Sequence, residues 1–214
     1  MPDATGHDSG QDPGRRGYHH GNLRQALVDA ALDLIAEKGP TGFTLAEAAR
    51  QAGVSPAAPY RHFKGREDLI EEVARQGFDL FTERLSAALA NQPSPLAAFS
   101  AAGRAYLDFA RQQPGHYMAM FESGLSVAGN PALAAAADRA QAALIGGAEA
   151  LFSHLPPGQR PPAGMVANHI WALSHGIVEL FTRGKPGSRA PFSAEDMLES
   201  GTLIYLRGLG LIPR

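Results

Sequence analysis

The stretch FTLAEAARQAGVSPAAPYRHFKGR, residues 43–66, decides the fold. Thr44 stands three residues before Glu47, which is the spacing of a capping box, so a helix is predicted over residues 45–52. Gly53 ends that helix and permits a tight turn, because glycine adopts backbone angles that other residues avoid.

A second short helix is predicted after this turn. Ser55-Pro56 is typical of an N-cap followed by proline at the first helical position, and the helix is expected to continue to about Phe63. Residues 48–49, both alanine, and Val54 are small enough to fill the space between the two helices, so the pair is predicted to form a helix-turn-helix. The second helix has too few large apolar residues to be buried on all sides. Its exposed face offers Pro56, Ala57, Tyr60, Arg61 and His62.

Outside this unit the apolar spacing is that of helices, and no segment shows sustained strand alternation. Apolar residues recur every three or four positions from residue 22 until Gly39-Pro40 ends the run. Further helices are predicted at about 66–90, 95–113, 114–124, 131–154, 162–184 and 194–208. Ser193 with Asp196 has the spacing of a second capping box, at the start of the last of these helices. The predicted fold class is all-α, with an N-terminal three-helix helix-turn-helix domain followed by a larger helical bundle, about nine helices in total.

Composition excludes several classes of protein. The hydrophobic fraction of 44% and the charged fraction of 19% are ordinary for a soluble globular chain of 214 residues. No apolar run approaches the roughly 18 residues of a membrane span, so no membrane association is expected. The polar start is unlike a secretory signal, and the absence of cysteine excludes disulfides and thiolate metal sites. A cytoplasmic protein is therefore expected.

Positive charge is concentrated near the N-terminus. Residues 13–66 contain eight Lys or Arg against four acids, a net charge of +4 in a chain whose overall net charge is −2. Such a local excess suits binding to DNA phosphates, where affinity depends largely on counterion release.

An ordered set of motifs resembles the tetracycline-repressor-type (TetR) transcriptional regulators. It runs through residues 18–75 and consists of Glu37-Lys38-Gly39, Phe43-Thr44-Leu45, Ala48-Ala49, Ala52-Gly53-Val54-Ser55, Tyr60-Arg61-His62-Phe63-Lys64 and Glu67-Asp68-Leu69. In addition, IWALSHGIVEL (170–180) resembles the Trp-x-x-x-His-Gly signature of one subclass of ligand-binding domain, which YHHGNLR (18–24) often accompanies.

The resemblance implies a domain division and a set of DNA contacts. Residues 1–17 would be a disordered arm, 18–66 the DNA-binding domain, and 67–214 the ligand-binding and dimerisation domain. Tyr60, His62 and Lys64 would contact phosphates of double-stranded operator DNA, and Thr44 would cap a helix that faces the backbone. Ser55, Pro56, Ala57 and Arg61 would lie near base edges, where sequence is read.

Some of these residues have plainer interpretations. Tyr60 could pack against the first helix, and Arg61 could be a solvated charge. Arg15-Arg16 could contact DNA or belong to a plain disordered tail. Adjacent histidines at 19–20 point away from each other on a helix and have no accompanying carboxylate, so no metal is expected.

The C-terminal part is rich in aromatic residues, and a pocket between helices is expected to bind a small molecule. The pocket-lining candidates are Tyr106, Phe109, Tyr117, Phe121, Trp171 and His175. They favour an apolar or aromatic effector, although His175 could instead be a core histidine bonded to a neighbouring helix. The helices at 162–184 and 194–208 resemble the family's dimerisation pair, in which Gly201 and Gly208 would permit close approach.

Two other classes of protein, an enzyme and an architectural DNA protein, fit the sequence less well. An enzyme is disfavoured because the string at 172–176 has alanine where a nucleophile elbow needs glycine, and it lies in the middle of a helix. No catalytic residue and no cofactor is expected. An architectural DNA protein would need more basic surface than this chain has. The sequence therefore predicts a homodimeric regulator. A repressor is favoured over an activator only because most members of the family that it resembles are repressors.

Overall fold

The computed structural model describes residues 23–182 and 191–212. Within these residues the chain is all-α, as predicted, with eight α-helices rather than about nine and no strand. The helices are α1 Leu23–Lys38, α2 Leu45–Gln51, α3 Arg66–Leu89, α4 Pro95–Gln112, α5 Pro114–Phe121, α6 Pro131–Leu151, α7 Ala163–Ile177 and α8 Ala194–Gly208. A π-helix, Val178–Thr182, continues α7. The predicted arm at 1–17, the histidines at 19–20 and the end of the helix predicted over 162–184 lie outside the described residues.

Both predicted capping boxes are present. The Glu47 amide donates to Thr44 Oγ1 at 3.2 Å, and the Thr44 amide donates to Glu47 Oε2 at 2.8 Å. Ser193 and Asp196 form the same reciprocal pair at the start of α8. Each box satisfies amides that a helix start would leave without partners, which fixes where α2 and α8 begin.

The second helix of the helix-turn-helix differs from its prediction. Residues 55–63, here called the recognition segment, form a turn followed by a short 3₁₀-helix, Pro59–Arg61, rather than an α-helix that Ser55 caps. Pro59 has no amide hydrogen, so the α-helical bond to the Ser55 carbonyl cannot form. The Ala58 amide bonds that carbonyl instead, at 3.0 Å. The prediction of an α-helix over residues 55–63 was therefore wrong.

The long helix α3 joins the two parts of the molecule. It packs against α1 and against α4, α5 and α6. The apolar face of α3 is buried, with Leu69, Val73 and Leu85 fully enclosed. A smaller apolar cluster lies among α4, α6, α7 and α8. α3 therefore contacts helices of both the N-terminal and the C-terminal part.

The two glycines of α8 have different surroundings within the single chain. A β-carbon at Gly201 would lie 2.9 Å from Leu173 Cδ2, so this glycine permits close packing of α8 on α7 of the same chain. Nothing lies within 4 Å of the corresponding position at Gly208. Gly201 is therefore used inside the subunit, because α7 and α8 cross there.

Candidate functional site

The recognition segment has one buried face and one exposed face. Pro59 and Phe63 are buried and anchor it to the core, whereas Tyr60 is 66% exposed. The other side chains predicted to contact DNA are also exposed: Thr44, Ser55, Pro56, Ala57, Arg61, His62 and Lys64. The structure thus brings the predicted DNA-facing residues onto the outer surface of the helix-turn-helix.

The buried carboxylate of Glu72 links α3 to α1 and, through Arg24, to the recognition segment. Glu72 on α3 is only 8% exposed, and it accepts from Arg24 of α1 at 2.8 Å and from Arg75 at 2.7 Å. Burial alone would raise the pKa of Glu72, but hydrogen bonds from Arg24, Arg75 and Gln76 lower it far below its ordinary value. The Arg24 guanidinium in turn lies over the Phe63 ring, 5.2 Å from its centroid. This cluster was not predicted, because Glu72 occupies an ordinary position in the helical pattern.

In the C-terminal part, a polar network is enclosed by aromatic rings. Trp171 Nε1 donates to Tyr106 Oη at 3.1 Å, and the hydroxyls of Tyr106 and Tyr117 lie 3.1 and 2.8 Å from His175 Nδ1. The Tyr117 hydroxyl also donates to Glu179 Oε1 at 3.3 Å. Four of the six predicted ligand residues therefore meet around one imidazole nitrogen.

Both tyrosines in this network are held as neutral hydroxyls. Burial raises the pKa of Tyr106 to about 12, although the Trp171 hydrogen bond opposes this shift. Burial also raises the pKa of Tyr117 far above its ordinary value, and the nearby charge of Glu179 adds to the effect. Each tyrosine consequently remains a hydrogen-bond donor at any physiological pH.

Two small cavities lie beside the network. The outer cavity, about 50 Å³, opens between α4 and α8 beside Arg104, Glu195, Glu199 and Thr202. The inner cavity, about 20 Å³, is lined by apolar residues together with Tyr106, Trp171 and Ser174. Phe99, Gly103 and Ile170 line both cavities, so the two cavities are neighbours. Their volumes are below the roughly 300 Å³ of typical ligand sites, so binding requires the surrounding side chains to move.

Of the six predicted pocket residues, Tyr106 and Trp171 line the inner cavity, whereas Phe109, Tyr117, Phe121 and His175 line neither of the two cavities. Phe121 packs edge-on against Trp171, with ring centroids 6.1 Å apart. Phe109 is buried against Phe81, with centroids 5.1 Å apart, and lines neither cavity. Phe99, Gly103 and Ile170 were not predicted to line a cavity, although a glycine within an apolar helix such as α4 is a signal of close packing.

The short helix α5 contacts both parts of the molecule. Tyr117 on α5 stacks on His175, with ring centroids 5.7 Å apart. Near the start of α5, a β-carbon at Gly115 would lie 2.5 Å from the Leu32 carbonyl oxygen of α1. Met118 lies close to Gly39, where α1 ends in a turn with positive φ. A displacement of the aromatic network therefore has a direct physical route to the helix-turn-helix.

These features define a class of protein, a helix-turn-helix DNA-binding regulator with a helical sensor part. Two family models agree, since residues 27–73 match that described as bacterial regulatory proteins, tetR family, and residues 99–203 match the tetracyclin repressor-like C-terminal domain. The chain belongs to the TetR family of transcriptional regulators, which are not enzymes.

Individual relatives are more distant. An uncharacterized HTH-type transcriptional regulator from Bacillus subtilis, YobS, is 29% identical over 99 residues, which are 46% of this chain and 51% of that protein. The HTH-type regulator BetI of Rhizobium meliloti is 49% identical over 47 residues, which are 22% of this chain and 23% of that protein. The chain thus spans about half the length, or less, of these curated relatives.

Solved structures match over nearly the whole chain. A protein of unknown function from Rhodococcus sp. RHA1 superposes with a TM-score of 0.76 at 26% identity, covering 90% of this chain and 98% of that one. The regulator FadR from Bacillus subtilis, in complex with stearoyl-CoA, superposes with a TM-score of 0.69 at 15% identity, covering 86% and 98%. At 15% identity the likeness concerns the fold.

The described residues contain neither a candidate membrane span nor a candidate metal site. No helix among them is both long enough and apolar enough to span a bilayer. No group of three or more potential metal-binding side chains clusters in these parts of the chain.

Proposed function

We propose that this protein is a repressor that binds a palindromic operator as a homodimer and leaves the DNA when a small molecule enters its C-terminal part. The observation that carries the proposal is the position of α5, which packs on α1 through Gly115 and on the sensor network through Tyr117. Such a bridge is what a regulator needs for one site to bias the other.

At the DNA, the exposed face of the recognition segment would lie in the major groove. Tyr60, His62 and Lys64 would contact phosphates, and the start of α2 at Thr44 would face the backbone. Ser55, Pro56, Ala57 and Arg61 would lie at base edges. The short Ala57 side chain favours close contact with a thymine methyl over a dense set of hydrogen bonds.

Dimerisation would use the outer surface of α7, its π-helical continuation and α8. Large apolar side chains are exposed there: Met165, Leu180 and Ile204, the last two 69% exposed each. Large apolar side chains exposed on helices that contact each other are typical of a subunit interface. A second copy would cover them and set the spacing of the two recognition segments.

The effector would bind among Tyr106, Phe109, Tyr117, Phe121, Trp171 and His175. The two cavities beside Tyr106 and Trp171 support this location. Trp171, His175 and Gly176 also support assignment to the Trp-x-x-x-His-Gly subclass of ligand-binding domain. The division into an arm at 1–17, a DNA-binding domain at 18–66 and a sensing domain at 67–214 is part of the same proposal.

Selection of operators from random duplexes tests the proposal. The wild-type protein should enrich one palindromic site, and Ala57→Asn should change the preferred base at one position in each half-site. Ala36→Asn, on the exposed side of α1, is the matched control and should keep the wild-type site. Unchanged preference in Ala57→Asn would refute the assignment of Ala57, and enrichment of no site would refute specific DNA binding.

A further inference from the structure

The polar side chains that line the inner cavity are all engaged within the protein. The Tyr106 hydroxyl accepts from Trp171 Nε1 at 3.1 Å and can donate to His175 Nδ1, also at 3.1 Å. The Tyr117 hydroxyl donates to a carboxylate, so it does not need that nitrogen. Ser174 Oγ donates to the backbone carbonyl four residues earlier at 2.9 Å. The inner cavity therefore offers a ligand apolar surface and, among the described residues, no hydrogen-bond donor that lacks a partner.

Thr202 of α8 is different, because its hydroxyl is buried without a partner. The residue is only 7% exposed and lines the outer cavity. A threonine in a helix can donate to the carbonyl four residues earlier, as Thr82 does to Phe78 at 2.8 Å, but Thr202 makes no such bond. Its oxygen has no hydrogen bond to any residue that the structure describes, and it is not wholly enclosed by protein atoms. The hydroxyl therefore faces the outer cavity, where leaving it unsatisfied is costly.

Ser100 of α4 adds a second hydroxyl to the outer cavity. It is half-buried, and in the described part of the chain its oxygen also has no hydrogen bond. By contrast, Ser94 at the start of α4 caps the helix by accepting from the Ala97 amide at 3.1 Å. A hydroxyl can donate one hydrogen bond and also accept. Two helices thus present to one cavity two groups that can bind an oxygen atom of a ligand.

The charged side chains at the outer cavity do not favour an ion. Glu195 is already paired with Arg111 of α4. Arg104 and Glu199 are exposed and carry opposite charges, so together they add no net charge to the rim of the cavity. An anion attracted by Arg104 would be repelled by Glu199, and a cation would meet the reverse. Because burying an ion without a dedicated partner is costly, the site favours a neutral ligand.

We infer that the effector is a neutral compound with two unlike ends: an apolar end that occupies the inner cavity, and an uncharged oxygen that binds the hydroxyls of Thr202 and Ser100 in the outer cavity. One molecule can reach both cavities because they are neighbours with shared walls. The inference rests on the proposed function, because it names the chemistry of the molecule that the sensor would bind. Thr202 determines specificity for the oxygen, since its hydroxyl is the more deeply buried of the two.

The chain itself supplies a reporter for the test. Trp171 is the only tryptophan in the sequence and lines the inner cavity. Protein labelled with 5-fluorotryptophan will give one ¹⁹F resonance, which can be titrated with four probes of similar size: benzyl alcohol, toluene, benzoate and benzylammonium. The probes share one ring and differ in carrying a neutral oxygen, no polar group, an anion and a cation.

Thr202→Val replaces the hydroxyl by a methyl group of similar size. It should weaken benzyl alcohol binding by about 2- to 12-fold, the loss expected for one neutral hydrogen bond, and change toluene binding by less than about 2-fold. Thr82→Val is the matched control, since its hydroxyl is bound to the Phe78 carbonyl and lines neither cavity. It should leave the binding of both probes unchanged.

Two further measurements do not depend on a weakened variant. Thr202→Val should unfold at a Tm no lower than that of the wild type, because the hydroxyl that it removes has no partner among the described residues. In the wild-type protein, benzoate and benzylammonium should each bind at least about 10-fold more weakly than benzyl alcohol.

Several results would overturn the inference. In Thr202→Val these are equal losses for benzyl alcohol and toluene, no loss of benzyl alcohol binding, or a Tm below that of the wild type. In the wild type they are binding of either ion as tight as that of benzyl alcohol, or no shift of the ¹⁹F resonance with any probe. Operator binding is measured separately, so absence of specific DNA binding contradicts the proposed function and leaves the ligand result intact.

Discussion

The contact between α5 and α1 gives the most demanding prediction. A β-carbon at Gly115 would lie 2.5 Å from the Leu32 carbonyl oxygen and 3.2 Å from the Leu32 carbonyl carbon. These are backbone atoms of a helix and cannot rotate away as a side chain would. Gly115→Ala should therefore force α5 and α1 apart.

The magnitude follows from two opposing effects. Overpacking costs about 1–3 kcal/mol, whereas replacing a helical glycine by alanine gains up to about 1 kcal/mol where there is space. Gly146→Ala on α6 is the matched control, because nothing lies within 4 Å of its β-carbon position. The free energies of unfolding of the two variants should therefore differ by about 1–3 kcal/mol, with Gly115→Ala the less stable.

Thermal unfolding at one fixed protein concentration measures this difference. A gap of 1–3 kcal/mol corresponds to roughly 2–12 °C in Tm for a chain of this size. Operator affinity of Gly115→Ala should also fall, since the same contact positions the helix-turn-helix. If Gly115→Ala is as stable as Gly146→Ala and binds DNA normally, α5 does not press on α1, and the proposed route of communication is wrong.

Three further predictions concern other parts of the molecule. Because the pKa of Glu72 is lowered in the folded protein, its stabilisation is present above its ordinary value of 4.5 and lost as pH falls. Glu72→Gln should thus lower the free energy of unfolding by about 1–3 kcal/mol near pH 7. Thermal unfolding should show this difference from the wild type narrowing below about pH 4.5. A difference that is independent of pH would contradict the ion pairs. Lys64→Ala and Tyr60→Phe should weaken binding to all duplexes while leaving the dimer intact. Lys64→Ala should also reduce the slope of log affinity against log salt concentration by about one ion. Gel-shift titrations at several salt concentrations measure this slope, and an unchanged slope would contradict a phosphate contact. Leu180→Asp with Ile204→Asp should yield monomers in sedimentation velocity and abolish operator binding, and a persistent dimer would place the interface elsewhere.

Local signals predicted the helix boundaries well where a cap or a glycine was involved. Thr44 with Glu47 and Ser193 with Asp196 each fixed a helix start, because a capping box depends only on residues three positions apart. The recognition segment was mispredicted although its cause is equally local. Pro59 lacks the amide hydrogen that an α-helix from Ser55 would need.

The sensor site could be predicted only in part. Aromatic richness pointed to Tyr106, Trp171 and His175, but their hydrogen bonds join residues up to 69 positions apart and follow from how α4 packs against α7. The burial of Glu72 could not be predicted, because it depends on Arg24, which lies on another helix. Long-range packing of this kind cannot be read from periodicity within one helix.

The central claim is that two copies of this helix-turn-helix read one DNA site at a fixed separation. Sedimentation velocity of the protein with its selected operator duplex, and with a random duplex at the same salt, tests it most directly. We expect one dimer on each operator duplex, with an affinity at least about 10³-fold higher than that for the random duplex. A stable monomer that binds both duplexes equally would contradict it.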